Sequence, residues 1–161
     1  MRQTIKPQMQ LGEVDISAIT FNPKSRDDIP RLLRAFQHIW VTPELREQVF
    51  QALERMIPAS RDNGRPGMDL WKILIFGTLR LTINCDYDRL QELANEHGTL
   101  RQMLGHGPYC THSYHIQTLH DNIALFTPEI LDEINQIVVN AGHQLVKKKK
   151  SGYAPALTRL S

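Results

Sequence analysis

An all-helical fold is predicted for this 161-residue chain by three observations. Apolar residues recur at helical spacing through several long segments. Capping residues or prolines stand where those segments begin. No stretch alternates apolar and polar residues with period two between turn residues, so strand signals are scarce. The length suffices for one domain with a real core, or for one domain and a tail. With 41% apolar and 22% charged residues, the composition is globular rather than disordered.

Residues 1–24 read as an N-terminal extension, and the domain is expected over 25–146. SRDDIPRLLRAFQHIW opens it, with Ser25 as N-cap and Pro30 near the first turn, where a missing N–H does least harm. In VTPELREQVFQALERMIP, Thr42 caps, Pro43 starts the helix, and Leu45, Val49, Leu53, Met56 and Ile57 form one apolar stripe until Pro58 ends it. ASRDNGRPG is a loop by composition. MDLWKILIFGTLRLTI is apolar nearly all round, which marks a buried central helix.

CDYDRLQELANEHG reads as a helix capped by Asp86 or Asp88 and closed by Gly98. Thr99 and Gln102 have capping-box spacing in TLRQMLG, which stops at Gly105. THSYHIQTLHDNIALF takes Thr111 or Ser113 as its cap and is expected to bury Ile116, Leu119 and Ile123. The last helix, TPEILDEINQIVVNAGHQLV, has Thr127 as cap, Pro128 first, and Ile130, Ile134, Ile137, Val138, Ala141 and Leu145 on one face. The sum is six or seven helices with no internal repeat.

Residues 147–161 break this pattern. Lys147, Lys148, Lys149 and Lys150 are followed by SGYAPALTRLS, which shares neither the period nor the composition of what precedes it. A disordered basic tail is expected here. Lysine codons are adenine-rich, so the run also suggests a tract where a reading frame slips, with an out-of-frame continuation behind it. The plainer alternative is a lysine run that complements a helix dipole and frays.

The formal charge of +2 conceals an uneven distribution. Residues 1–146 hold 14 Lys and Arg against 17 Asp and Glu, a balance of −3, and the tail restores the total. Affinity of the body for nucleic acid must therefore come from a local patch. The N-terminus has no apolar signal region, and the longest apolar run, LWKILIFGTLRL, is too short for a bilayer and carries Lys72 and Arg80. A cytoplasmic protein without membrane contact is expected, with Cys85 and Cys110 as small buried thiols.

GRPGMDLWKILIFGTLRLTINCDYDRLQELANEHGTLRQMLG resembles the N-terminal domain of bacterial insertion-sequence transposases of the InsH or ISNCY type. The shared pattern is a Gly-Arg-Pro opening at Gly64 to Pro66, a buried apolar helix, a helix from Asp86 or Asp88 through Leu90 to Ala94, and a short helix ending at Leu104 and Gly105. The resemblance covers about Pro58 to Val146. It implies recognition of an element's terminal inverted repeats by helices; separately, a polar helix after two short ones is consistent with a helix-turn-helix variant. Strand transfer in that family belongs to a following RNase-H-like core with three metal-binding acidic residues, and nothing of that kind follows the last helix here. The chain is therefore expected to bind double-stranded DNA without cutting it, and to need no cofactor or small-molecule substrate.

Within that expectation the helix from about Ser113 to Leu125 is the reading element. Burial of its apolar positions puts His115, Gln117, Thr118, Asp121 and Asn122 on or near its open side, and Asn and Gln pair bidentately with adenine edges in the major groove. Arg61, Arg65, Arg101 and Lys147 to Lys150 are the candidate phosphate contacts. An ordinary solvated helix face is the plain alternative.

Other chemistries are weaker. HGPYCTHSYH places His106, Cys110, His112 and His115 within ten residues, but at no standard zinc spacing. His120-Asp121 matches the dipeptide of helical metal phosphohydrolases, which chance supplies easily. Asp86 and Asp88 are better explained as caps than as an acid–base pair. A different class of function remains: self-association, with a second copy or a full-length transposase, through the stripes of Thr42–Ile57 and Pro128–Val146. A nonfunctional remnant is the third reading.

Overall fold

The computed structural model describes residues 14–58 and 67–160, the side chains of 145, 146 and 148–160 excepted. Among the described residues all regular structure is helical. The helices are α1 (Asp28–Val41), α2 (Pro43–Met56), α3 (Leu70–Thr82), α4 (Tyr87–Glu96), α5 (Gly98–Met103), α6 (Ile116–Ile123) and α7 (Pro128–Leu160). A 3-10 turn, Ile16–Ala18, precedes them.

The all-round apolar helix is the centre. α1, α2, α4 and α6 all pack on α3, whose Trp71, Ile73, Leu74, Ile75, Phe76 and Leu79 have no exposed surface. Trp71 lies among Phe36, Trp40 and Phe50, and its Nε1 donates to the Met103 carbonyl at 2.9 Å. This ties the centre to the end of α5 and satisfies the one polar atom of the largest core residue. Asp69 caps α3 through the Lys72 amide at 2.9 Å. Asn84, at φ 52°, ends the segment in the left-handed region that Asn tolerates.

Several local expectations are corrected. Asp27, not Ser25, caps α1 by accepting from the Ile29 amide. Asp86 caps α4. Gly98 does not close α4 but begins α5, and the Thr99–Gln102 capping box does not form. His97 performs both tasks: its extended backbone breaks the helix, and its Nδ1 accepts from the Leu100 amide at 3.1 Å. Gly105 ends the α5 segment at φ 93°, a conformation open to glycine.

Part of the 1–24 segment packs on α1. Ile16 and Ile19 are buried, and the Gln37 amide donates to both of their carbonyls at 2.9 Å, fastening this segment to α1. At the other end, α2 and α7 pack on each other. Leu45, Val49 and Leu53 are buried on α2, and Ile130 and Ile134 on α7. Arg55 reaches Glu133 at 2.7 Å across this seam, an exposed pair of small energetic weight. The two stripes considered for self-association thus supply core within one chain. Described packing on α7 extends to Ala141, while its helical backbone continues through the lysines to Leu160. Leu145 lies outside the described side chains.

Candidate functional site

α6 carries the expected polar face. Leu119 and Ile123 are fully buried, while His115, Gln117, Thr118 and Asp121 are exposed. Two expectations fail here. Ile116 is 40% exposed rather than buried, and the helix starts after His115 rather than at Thr111 or Ser113. The reason is that side chains of α4 take both backbone polar groups of the preceding residue, and His115 itself is extended. Asn95 brackets Tyr114, accepting from its amide at 2.7 Å and donating to its carbonyl at 3.1 Å. Gln91 donates to the same carbonyl at 3.0 Å, so the chain cannot turn helical before His115.

Asn122 and Gln117 also engage other groups of the protein. The Asn122 side-chain oxygen accepts from the Met68 amide at 3.1 Å, and its nitrogen donates to the Thr118 carbonyl at 2.8 Å. Its carboxamide therefore fixes α6 to the start of α3. Gln117 donates to Asp121 at 2.7 Å along the exposed face.

Arg101 is likewise a structural fastener. Its guanidinium donates to the carbonyls of Ala94 at 2.9 Å, Cys110 at 3.3 Å and His112 at 2.8 Å. It holds the connection from α5 to α6 against the end of α4, so the fork expected to meet phosphate is occupied by backbone. Arg61 and Arg65 lie outside the described residues. Lys147 is exposed, and the side chains of Lys148, Lys149 and Lys150 are outside the description.

That connection gathers His106, Cys110 and His112 of the HGPYCTHSYH segment around Tyr114, which sequence reading did not single out. His106 Nε2 and the Tyr114 hydroxyl are 2.6 Å apart, and Cys110 Sγ lies 3.4 Å from His106 Nδ1. The His112 ring stacks on His106 at 5.1 Å and meets Tyr114 edge-on at 4.8 Å. Lys72 lies over the Tyr114 ring at 5.7 Å. Tyr109, by contrast, is 95% exposed on the same segment. Contrary to expectation Cys110 is exposed and Cys85 half-buried.

Burial, reinforced by the positive charges of Lys72 and Arg101, pushes His106 down to about 4. Burial and the same cations lower His112. Tyr114 is raised, first by burial and then by Asp69. His106 is therefore neutral near pH 7, able to accept one hydrogen bond and donate another. Its linkage has a definite sign. Between the ordinary value of 6.5 and about 4 the unfolded chain binds a proton that the folded chain refuses. Stability is expected to fall as pH drops through this window, and His106→Gln is expected to flatten the fall. Urea melts followed by tryptophan fluorescence at several pH values check this; equal slopes for both proteins would refute it.

Other chemistry finds no assembled site. Among the described residues no three His, Cys, Asp or Glu side chains converge to hold a metal ion. His106 of the HGPYCTHSYH cluster is engaged by Tyr114. His120 and Asp121 are exposed, 3.8 Å apart, with the His120 ring against Tyr87 at 4.9 Å. No helix among the described residues is long and apolar enough to cross a membrane. Searches against family models, curated proteins and solved structures return no match for this chain.

Proposed function

We propose that this chain binds duplex DNA as a helical recognition domain of the insertion-sequence transposase kind, with α6 as its reading helix. One observation carries the reading. α6 turns His115, Gln117 and Thr118 outward while Asn122 and the bracketed Tyr114 fix the helix at both ends. A polar face held this way keeps its geometry on binding, so little side-chain and loop ordering opposes recognition. The Gln117–Asp121 pair offers a donor and acceptors that suit base edges, while the Asp121 charge disfavours indiscriminate contact with phosphate. The reading assigns binding and no bond-making step.

An electrophoretic shift with inverted repeats found beside the gene, against an unrelated duplex of equal length, tests it. The repeats are expected to bind more tightly at physiological salt. Gln117→Ala is expected to lower that preference about tenfold or more, the worth of one bidentate base contact, roughly 1–3 kcal/mol. Equal affinity for both duplexes removes the recognition claim.

A further inference from the structure

In the described body the basic side chains divide into two groups. Six are engaged by the protein itself. Arg46 donates to the Trp40 carbonyl, Arg55 meets Glu133, Lys72 meets Asp69 and Arg89 meets Glu92. Arg80 lies over the Tyr87 ring, and Arg101 holds three carbonyls. The second group is Lys24, Arg26 and Arg31, with Arg34, which like Arg80 lies over an aromatic ring but is exposed where Arg80 is half-buried. All four are exposed, and among the described residues none has a carboxylate within 4.0 Å.

Two of these stand on α1 and two on the turn that leads into it. Arg31 and Arg34 are three apart on α1, hence neighbours on one helix face, with His38 one turn further along. Lys24 and Arg26 sit on the turn that leads into α1. That turn is fixed by the Lys24 amide on Asn22 Oδ1 at 3.0 Å and the Asp27 amide on Ser25 Oγ at 3.2 Å. Two acids lie nearby. The Asp27 carboxylate accepts from the Ile29 amide as the cap, and Asp28, three residues before Arg31, stands on the same helix face at its start, beyond 4.0 Å of the four cations. Arg34 lies over the Phe21 ring at 5.8 Å, which positions its guanidinium.

We infer that Lys24, Arg26, Arg31 and Arg34 form a phosphate-contact strip that grips the backbone of a DNA duplex. This rests on the duplex-binding reading above and supplies the positioning contacts that Arg101 does not. Exposed cations without a carboxylate partner, in a body with an acidic balance, are the local patch that affinity for phosphate requires. A lipid surface fits less well, because the apolar side of α1, with Ile29, Leu33, Phe36 and Ile39, is buried in the core and is not available to insert.

The test is the salt dependence of binding to a random 20-base-pair duplex, measured by fluorescence anisotropy. Wild type is compared with K24Q/R26Q/R31Q/R34Q and with R55Q/R89Q, which removes two exposed arginines paired to acids. Each phosphate contact contributes about 0.9 to the slope of log K against log salt, so the fourfold variant is expected to lose about 3.6. The control is expected to change by less than about 1. If circular dichroism shows the fourfold variant misfolded, K24Q/R26Q/R31Q leaves Arg34 on Phe21 and is expected to lose about 2.7.

An unchanged slope in a folded variant overturns the strip, and leaves α6 recognition standing if preference for the repeats persists. A lowered slope without any preference for the repeats supports the strip and removes the α6 reading. Failure of wild type to bind duplex overturns both. Tighter, strip-dependent binding to single-stranded RNA or to phosphatidylserine vesicles overturns the duplex assignment.

Discussion

Gly77→Ala is expected to destabilise the body by about 3 kcal/mol, although alanine is the better helix former. At an unconstrained helix position the change gains about 1 kcal/mol. Here a Cβ on Gly77 falls on the Cβ, Cγ and Cδ1 atoms of Phe126, far inside van der Waals contact. Phe126 is fully buried and follows α6 directly, its amide donating to the Ile123 carbonyl at 2.9 Å. The ring therefore cannot swing aside without moving the α6–α7 turn. Overpacking of this kind costs roughly 1–3 kcal/mol and occasionally more, and the contact with Phe126 Cβ places the site at the upper end. The urea midpoint is expected to fall by more than about 1 M. Phe126→Leu in the Gly77→Ala background is expected to restore part of the loss. A raised midpoint for Gly77→Ala alone would show that the α3–α6 approach is not this close.

Trp71→Ala carries the other large effect. Trp71 has no exposed surface and is in ring contact with Phe36, Trp40 and Phe50. Its removal opens a cavity where α1, α2 and α3 meet, at roughly 3–5 kcal/mol. The Met103 carbonyl also loses its donor. Against a total stability on the order of 5–15 kcal/mol, this is expected to leave the chain partly unfolded at 37 °C. Trp71→Phe separates the two contributions, because it keeps most of the packing and gives up the Nε1 bond at about 1–2 kcal/mol. Thermal melts by circular dichroism read both variants. Equal losses for the Ala and Phe changes would mean that the hydrogen bond, rather than the volume, dominates.

Both residues lie on α3, and they show how much of this molecule is legible along the chain. The uniform apolarity of Leu70–Thr82 predicts a buried central helix, and that is what α3 is. The stripe Leu45, Val49, Leu53 identifies the inner face of α2. Thr42 with Pro43, Asp86, and Thr127 with Pro128 stand at the helix starts where local sequence puts them. These signals are legible because each depends on neighbours within a turn or two.

The candidate site is legible only in part. The outward direction of Gln117 and Thr118 follows from helical period, since burial of Leu119 and Ile123 fixes it. The engagement of Asn122 with Met68, 54 positions away, does not. The Arg101 fork looks like a surface cation until the chain folds back nine and eleven positions later to bring it carbonyls. The cluster K-x-R-x4-R-x2-R from Lys24 to Arg34 is visible in the letters. That its side chains have no carboxylate within 4.0 Å among the described residues, and that most other described cations are engaged, are properties of the folded surface.

Sequence alone determined the helical class, the central helix, most inner faces and the side of α6 that meets solvent, because periodicity and capping are short-range. Tertiary structure decided which polar groups remain available. A hydrogen bond such as Asn95 to Tyr114 joins residues 19 apart, and no local pattern records whether a donor will find its acceptor inside the protein or outside it.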